Sequence, residues 1–237
     1  MSRQNLPLYT QIREALVTQI STGVYSTGEC LPSEIALADA AGVSPGTVRK
    51  AIDSLVAEGV LRRHQGKGTF VAEHTEDLAR YKFLRLTDRS GSRVVPEAGR
   101  QSVTGDRVTA EIAAKLDIDA QDPVWRIERT RLISGEPALC ETVVVAQNLM
   151  PDLDKVTDLP NALYPFYQSR FGISVISTDD ALTAVLSSSR DAEALGRPEK
   201  TPVLMIERVA RDLTGRPIEW RRTRCLTQHH SWSVSLR

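Results

Sequence analysis

The helix-capping and glycine punctuation of residues 31–71 constrains this chain more than any other feature. In LPSEIALADAAGVSPGTVRKAIDSLVAEGVLRRHQGKGTFV, Ser33 follows Pro32 as an N-cap, and Glu34 suits the positive end of a helix dipole. Ile35, Leu37 and Ala38 give a short apolar face running to Ala41, and Gly42 ends it by taking the left-handed conformation. Ser44 caps a second helix with Pro45 at its first position, where a missing N–H does no harm. Val48, Ala51, Ile52, Leu55 and Val56 recur at helical spacing as its buried face, and Gly59 stops it. Val60–Arg63 and Thr69–Val71 then read as two strands joined by His64-Gln65-Gly66-Lys67-Gly68. Upstream, Leu8, Ile12, Leu16 and Ile20 recur every four residues, and Gly23 ends this supporting helix. Three helices followed by a glycine-tipped hairpin make a winged helix-turn-helix, an arrangement that places one helix in a DNA major groove.

Charge supports that placement. The 237 residues carry 30 basic and 30 acidic side chains, a formal net charge of +0, so no global signal for nucleic acid exists. Between Arg49 and Lys67, however, Arg49, Lys50, Arg62, Arg63 and Lys67 face only Asp53 and Glu58. Thr47, Arg49, Lys50 and Ser54 occupy the exposed side of the second helix of the pair. Gly66 lets the wing backbone approach a partner closely, and Lys67 can meet phosphate. The competing reading of these charges is an ordinary solvated surface.

The length suits two domains, and a hydrophobic fraction of 41% suffices for cores. No run of about 18 apolar residues predicts a membrane span. The opening MSRQNLPLYT has no apolar core of a signal peptide, so a cytoplasmic protein is expected. Cys30, Cys140 and Cys225 fit no metal or redox spacing and are expected to be buried free thiols. His229-His230 would point to opposite faces of a strand, so no metal site is expected, and no cofactor or catalytic motif is evident.

The winged domain is assigned to residues 1–72, a charged linker or bridging helix to 73–82, and a second domain to 83–237. In that second domain Ala110–Leu116 reads as a helix and Pro123–Ser134 as a strand. Gly135-Glu136-Pro137 is a turn and Ala138–Ala146 the returning strand. Asn161–Phe171 is a helix with Leu163, Phe166, Tyr167 and Phe171 inward, Ile173–Leu186 a bent strand, and Arg190–Leu195 a short helix. Val203–Asp212, Gly215-Arg216-Pro217 and Ile218–Leu226 repeat the strand–turn–strand unit. An antiparallel sheet flanked by helices, an α+β domain, follows.

Alternation along the first of these strands carries chemistry. Val124, Arg126, Glu128 and Thr130 point one way, and Trp125, Ile127, Arg129 and Arg131 the other. Two guanidinium groups on an otherwise apolar row need anions, supplied by protein carboxylates or by a ligand. Glu141 and Glu219 are candidates for either role. A purely structural Arg–Glu network tying the hairpins together stays open.

The first third closely resembles the GntR family of bacterial transcription regulators. The resemblance rests on Pro7-Leu8-Tyr9, Gly23-Val24-Tyr25, Leu31-Pro32-Ser33-Glu34, Gly42-Val43-Ser44, Thr47-Val48-Arg49, Glu58-Gly59 and Gln65-Gly66-Lys67-Gly68-Thr69-Phe70-Val71. It implies DNA contacts from Ser33, Ser44, Thr47, Arg49, Lys50, Gln65, Gly66 and Lys67, with the wing tip in the minor groove. Ile35 and Pro45 stand where relatives have DNA-contacting arginines, so the operator sequence is not implied. From about residue 80 the chain is similar to the UTRA effector domain, whose fold resembles chorismate lyase. The matching residues are Ala113–Leu116, Val124–Arg131, Gly135-Glu136-Pro137, Glu141, Leu163-Tyr164, Phe171-Gly172, Ala194-Leu195, Pro202-Val203-Leu204 and Gly215–Glu219. This implies an effector site at Arg129, Arg131, Glu141 and Glu219. Ala162 and Cys225 replace residues common in phosphosugar-binding relatives.

The expectation is therefore a non-enzymatic, ligand-responsive repressor. It binds a palindromic double-stranded DNA operator as a homodimer, is released by a small anionic metabolite, and has no membrane partner. The alternative is a DNA-binding protein whose second domain has no effector and only dimerises.

Overall fold

The computed structural model describes residues 6–73 and 84–234. The head comprises α1 (Leu8–Ser21), α2 (Glu34–Ala41), α3 (Pro45–Ala57), β1 (Leu61–His64) and β2 (Gly68–Val71). Its helix boundaries follow the sequence signals. The Ser33 hydroxyl accepts from the Ala36 amide, Ser44 from the Thr47 amide, and Gly42 ends α2 at φ +65°. Leu16, Val17, Leu31, Ala38, Val48, Ile52, Leu55, Val60, Leu61 and Val71 share one core. Glu58 accepts from Arg13 of α1 and from Ser54, tying the supporting helix to the end of α3. The first wing strand starts at Leu61, one residue later than expected, because the Val60 amide bonds the Leu55 carbonyl in the turn that closes α3.

The linker expected at 73–82 lies outside the described residues except for Glu73. Beyond it come β3 (Leu86–Asp88), β4 (Glu97–Asp106), α4 (Ala110–Leu116), β5 (Val124–Ile133), β6 (Glu136–Ala146) and a 3-10 turn (Leu153–Lys155). These are followed by α5 (Leu163–Phe171), β7 (Val175–Leu186), α6 (Ser189–Leu195), β8 (Pro202–Asp212), β9 (Pro217–Cys225) and β10 (His230–Trp232). Six strands form one antiparallel sheet in the order β4-β5-β6-β9-β8-β7, and β3 pairs with β10 in a separate ribbon. This is the expected α+β domain. Four elements were not expected: β3, β10, the edge strand β4 and the 3-10 turn.

The hairpin turn between β5 and β6 is Ser134-Gly135 alone, both at positive φ, so Glu136 and Pro137 already belong to the returning strand. This two-residue turn fixes the register on which the site depends. One sheet face carries the main core of Ile127, Val143, Val145, Met150, Leu153, Tyr164, Tyr167, Val175, Ala210 and Ile218 beneath α5 and the 3-10 turn. The opposite face is covered by α4, packed on Val124, Val144 and Trp220. The head touches this domain through Ile176 and Leu213, and through Gln168 of α5, whose Nε2 donates to the Ala72 carbonyl at 3.4 Å.

Cys140 and Cys225 are buried, as expected, but Cys30 is exposed. It lies on the outer strand-like segment that bridges to Phe70, beside the wing rather than in the core. Burial pushes both buried thiols up to about 12.

The wing is the mechanically constrained part of the head. Gly68 has φ +122°, and a Cβ placed there would sit 2.9 Å from Cys30 Sγ. Gly68→Ala is expected to destabilise the chain by about 1–2 kcal/mol from backbone strain, with a further steric loss. Urea denaturation checks this: adding Cys30→Ala should restore only the steric part.

Candidate functional site

The exposed face of the head forms where α2, α3 and the wing meet. The Glu34 carboxylate accepts from Arg49 Nε at 2.7 Å and from Arg63 Nη2 at 2.9 Å, joining the first turn of α2 to α3 and β1. Arg63 also pairs with Asp53 at 2.7 Å. Arg49 remains largely exposed beyond its contact. The Lys50 ammonium lies 4.1 Å from the centre of the Tyr9 ring, a cation–π contact that draws it toward α1. Ser44 and Thr47 hydroxyls bond one another at 2.9 Å at the opening of α3. Gln65, Gly66 and Lys67 form the exposed wing tip, with Gly66 at φ +73° and open space around its Cα. Ser33 is engaged in capping α2 and is also exposed. The structure thus brings the eight residues expected at DNA to the exposed surfaces of the helix pair and the wing.

In the second domain the site is written in the strand register. On the face under α5, Arg129 of β5 lies opposite Glu141 of β6, which lies opposite Thr223 of β9 and then Ile206 of β8. The adjoining row runs Ile127, Val143, Arg221, Arg208 and Asp180, and the next Trp125, Val145, Glu219 and Ala210. Period-two alternation thus brings three arginines and three carboxylates together on a buried surface, and adds Arg131, two residues beyond Arg129 and opposite Leu139.

Glu141 is the hub. It accepts from Arg131 Nη1 at 3.3 Å, from Arg221 Nη1 at 3.4 Å and from the Thr223 hydroxyl at 3.3 Å. Burial opposes its ionisation, but Arg221, Arg131 and Arg129 overcome that penalty and hold its carboxyl down at about 2. Arg221 also grips Glu219 through two bonds of 2.9 Å, and Tyr164 and Tyr167 donate to the same carboxylate at 3.2 and 2.8 Å. Arg208 grips Asp180 through two bonds of 2.7 Å. Arg129 is different. It is 3% exposed, its Nη2 donates only to the Pro160 and Asn161 carbonyls at 3.2 Å, and its Nε and Nη1 have no partner. Burial lowers its pKa to about 10, against the attraction of Glu141.

Above this surface lies a cavity of about 90 Å³. Its polar lining includes Arg131, Glu141, Arg208, Arg221, Thr223 and Asn161, and its apolar wall Leu84, Val95, Leu139, Leu163, Ile206 and Trp232. Arg129 and Glu219, both expected at the effector, support the lining from behind. Arg208 and Arg221 were not singled out from sequence. Arg221 carried a usable signal, since it is two residues from Glu219 and therefore on its face; Arg208 needed the β8–β9 register. The first turn of α5 opens on the cavity through Ala162, Leu163 and Tyr164 and has no side-chain cap, so its partial positive charge reinforces the arginines. Among the described residues no group of three or more His, Cys, Asp or Glu is placed to hold a metal.

Residues 8–71 match the bacterial regulatory proteins of the gntR family, and residues 100–231 match the UTRA domain. The chain belongs to the GntR family of transcriptional regulators. It joins a DNA-binding head to a UTRA domain, and the family is one of regulators rather than enzymes. Among relatives of this GntR regulator, one from Escherichia coli K12 is named a probable fructoselysine utilization operon transcriptional repressor. It is 30% identical over 213 residues, covering 89% of this chain and 87% of that protein. The transcriptional repressor NagR of Bacillus subtilis is 30% identical over 207 residues, covering 86% and 84%. The solved ligand-binding domain of a GntR-family regulator from Bordetella bronchiseptica superposes with a TM-score of 0.60 at 29% identity. It covers 67% of this chain and 99% of that one. No helix among the described residues is long and apolar enough to cross a membrane.

The Glu141 hub makes a pH prediction. Its folded pKa lies below the ordinary value of 4.5, so the stability it contributes is complete above that value. That stability is lost as pH falls from about 4.5 toward about 2. Acid unfolding followed by tryptophan fluorescence should show this loss, and Glu141→Gln should flatten that part of the curve while lowering stability at pH 7.

Proposed function

We propose that this GntR regulator is a cytoplasmic repressor that binds a palindromic operator as a homodimer and is released by a small anionic metabolite. The observation that carries this reading is one helix serving two surfaces. The first turn of α5 lines the charged cavity, and Gln168 near its end touches Ala72, at the exit of the wing. A ligand that prefers one setting of α5 can therefore bias the head, by no more than its difference in affinity for the two arrangements. Buried ion pairs are a poor source of stability, since hydrophobic replacements often match them. Four charged side chains lining a cavity, backed by three more, are better explained by a ligand than by the need to tie hairpins together.

In this reading Ser44 and Thr47 open the recognition helix onto the groove. Arg49, Lys50 and Lys67 meet phosphates, and Gln65 and Gly66 enter at the wing, with Ser33 at the start of α2. Arg131 and Glu141 hold the effector together with Arg221 and Arg208, while Arg129 adds positive charge from below and Glu219 fixes Arg221. One head buries too little surface for tight specific binding, and two half-sites supply the rest. The exposed edge strand β7, with Leu182 46% and Leu186 61% accessible, supports dimerisation through the second domain. Sedimentation of a monomer both free and on operator DNA would contradict the homodimer.

Each lost phosphate contact should lower the slope of log affinity against log salt by about one unit. Fluorescence anisotropy with Arg49→Ala and Lys67→Ala is therefore expected to show weaker, less salt-dependent binding; unchanged slopes in both would remove these side chains from the interface.

Arg131→Ala tests the effector half. Anionic metabolites that stabilise the wild type in a thermal-shift screen should bind this variant about tenfold or more weakly, the loss of one charge-assisted contact. Its operator affinity without metabolite should be unchanged. A variant that folds and still responds to the metabolite would favour a second domain whose arginines serve structure alone.

A further inference from the structure

The chemistry of the cavity narrows the class of molecule it takes. We infer that the effector is a small monocarboxylate with a compact apolar body, not a phosphorylated sugar. This rests on reading the cavity as the effector site.

Charge balance comes first. Among the described residues, Arg129, Arg131, Arg208 and Arg221 meet Glu141, Glu219 and Asp180, leaving one positive charge in excess. The excess is carried by Arg129, which has no carboxylate partner and is buried. One bound negative charge neutralises the cluster. A phosphate dianion would leave an uncompensated negative charge in a buried setting, which is costly.

The donors agree. Every guanidinium nitrogen of Arg131 and Arg221 already bonds a carboxylate, a carbonyl or Asn161. Seven of the ten N–H groups on these two guanidiniums are thereby committed, leaving three, enough for the two oxygens of one carboxylate. A single carboxylate can lie across the uncapped start of α5 and the edge of the arginine cluster.

Size and lining set the rest. A cavity of about 150 Å³ accommodates benzene, whereas this one measures about 90 Å³. The cavity is open to solvent on one side, so its small inner volume sets the part of the ligand that is enclosed and the lining sets its chemistry. Six apolar side chains form its wall, including Trp232 of β10 and Leu139 and Ile206 from the sheet. A polyol facing them would leave hydroxyls unpaired.

The test is isothermal titration of the full chain with acetate, isobutyrate, isovalerate, the neutral isostere isovaleramide, inorganic phosphate and glucose 6-phosphate. Each buried methylene contributes about fourfold, so isovalerate should bind about tenfold or more tighter than acetate. It should also exceed isovaleramide by at least about tenfold, the worth of a charge-assisted contact. Trp232→Ala should erase much of the dependence on size. Val95→Ala, at a half-exposed wall position, should reduce it in a chain whose folding is not at issue. Glucose 6-phosphate binding tighter than isovalerate would overturn the class while leaving the effector cavity in place. A flat carboxylate series, with the amide equal to the acid, would overturn it too. If none of the six probes binds, the monocarboxylate inference fails. The effector reading is then judged separately, by whether fractionated cell metabolites still shift operator affinity in an Arg131-dependent way.

Discussion

A single buried carboxylate organises the second domain. Glu141 sits at the middle of the sheet, and its two oxygens take Arg131 from β5, Arg221 from β9 and the Thr223 hydroxyl. A charge this deeply buried survives only with partners on every side, so its presence dictates theirs. Arg221 in turn needs Glu219, Glu219 recruits Tyr164 and Tyr167 from α5, and the network holds the start of that helix over the sheet. The cavity follows as the space that the network surrounds without filling.

The arrangement explains how a binding event can act at a distance. A helix anchored only by apolar contacts would settle in many nearly equivalent positions. Two tyrosine hydroxyls bonded to one buried carboxylate give α5 a defined seat, and in the proposed mechanism a ligand that alters the charge around Arg221 alters that seat. The far side of the same helix reaches the end of the wing. In the head, Glu34 has a comparable role on a smaller scale, since it ties α3 to the wing through Arg49 and Arg63. Exposed pairs of this kind contribute little stability, but they set the positions of side chains on the surface proposed to face DNA.

Much of the head was legible because its signals are local. Ser33, Gly42, Ser44 and Gly59 each act on the helix they border, and the structure places the boundaries there. The face shared by Trp125, Ile127, Arg129 and Arg131 was legible for the same reason, since alternation needs no knowledge of neighbours. Arg208 was not legible, because its place beside Arg221 depends on the pairing of β8 with β9 and on the bulge between Ala210 and Arg211. The division between Arg131, which lines the cavity, and Arg129, which lies behind it, depends on side-chain packing that no spacing encodes. The edge strand Glu97–Asp106 escaped notice because Val103 is its one large apolar residue. The ribbon of β3 and β10 joins segments more than 140 positions apart, each three residues long.

The central claim is that Glu141 and Arg221 are coupled partners in a preorganised charge network rather than independent buried groups. A double-mutant cycle in urea denaturation, with Glu141→Gln, Arg221→Met and the pair together, tests this directly. The account predicts that the two losses fall short of additivity by about 1–3 kcal/mol, because removing either partner strands the other. Additive losses within about 0.5 kcal/mol would contradict it.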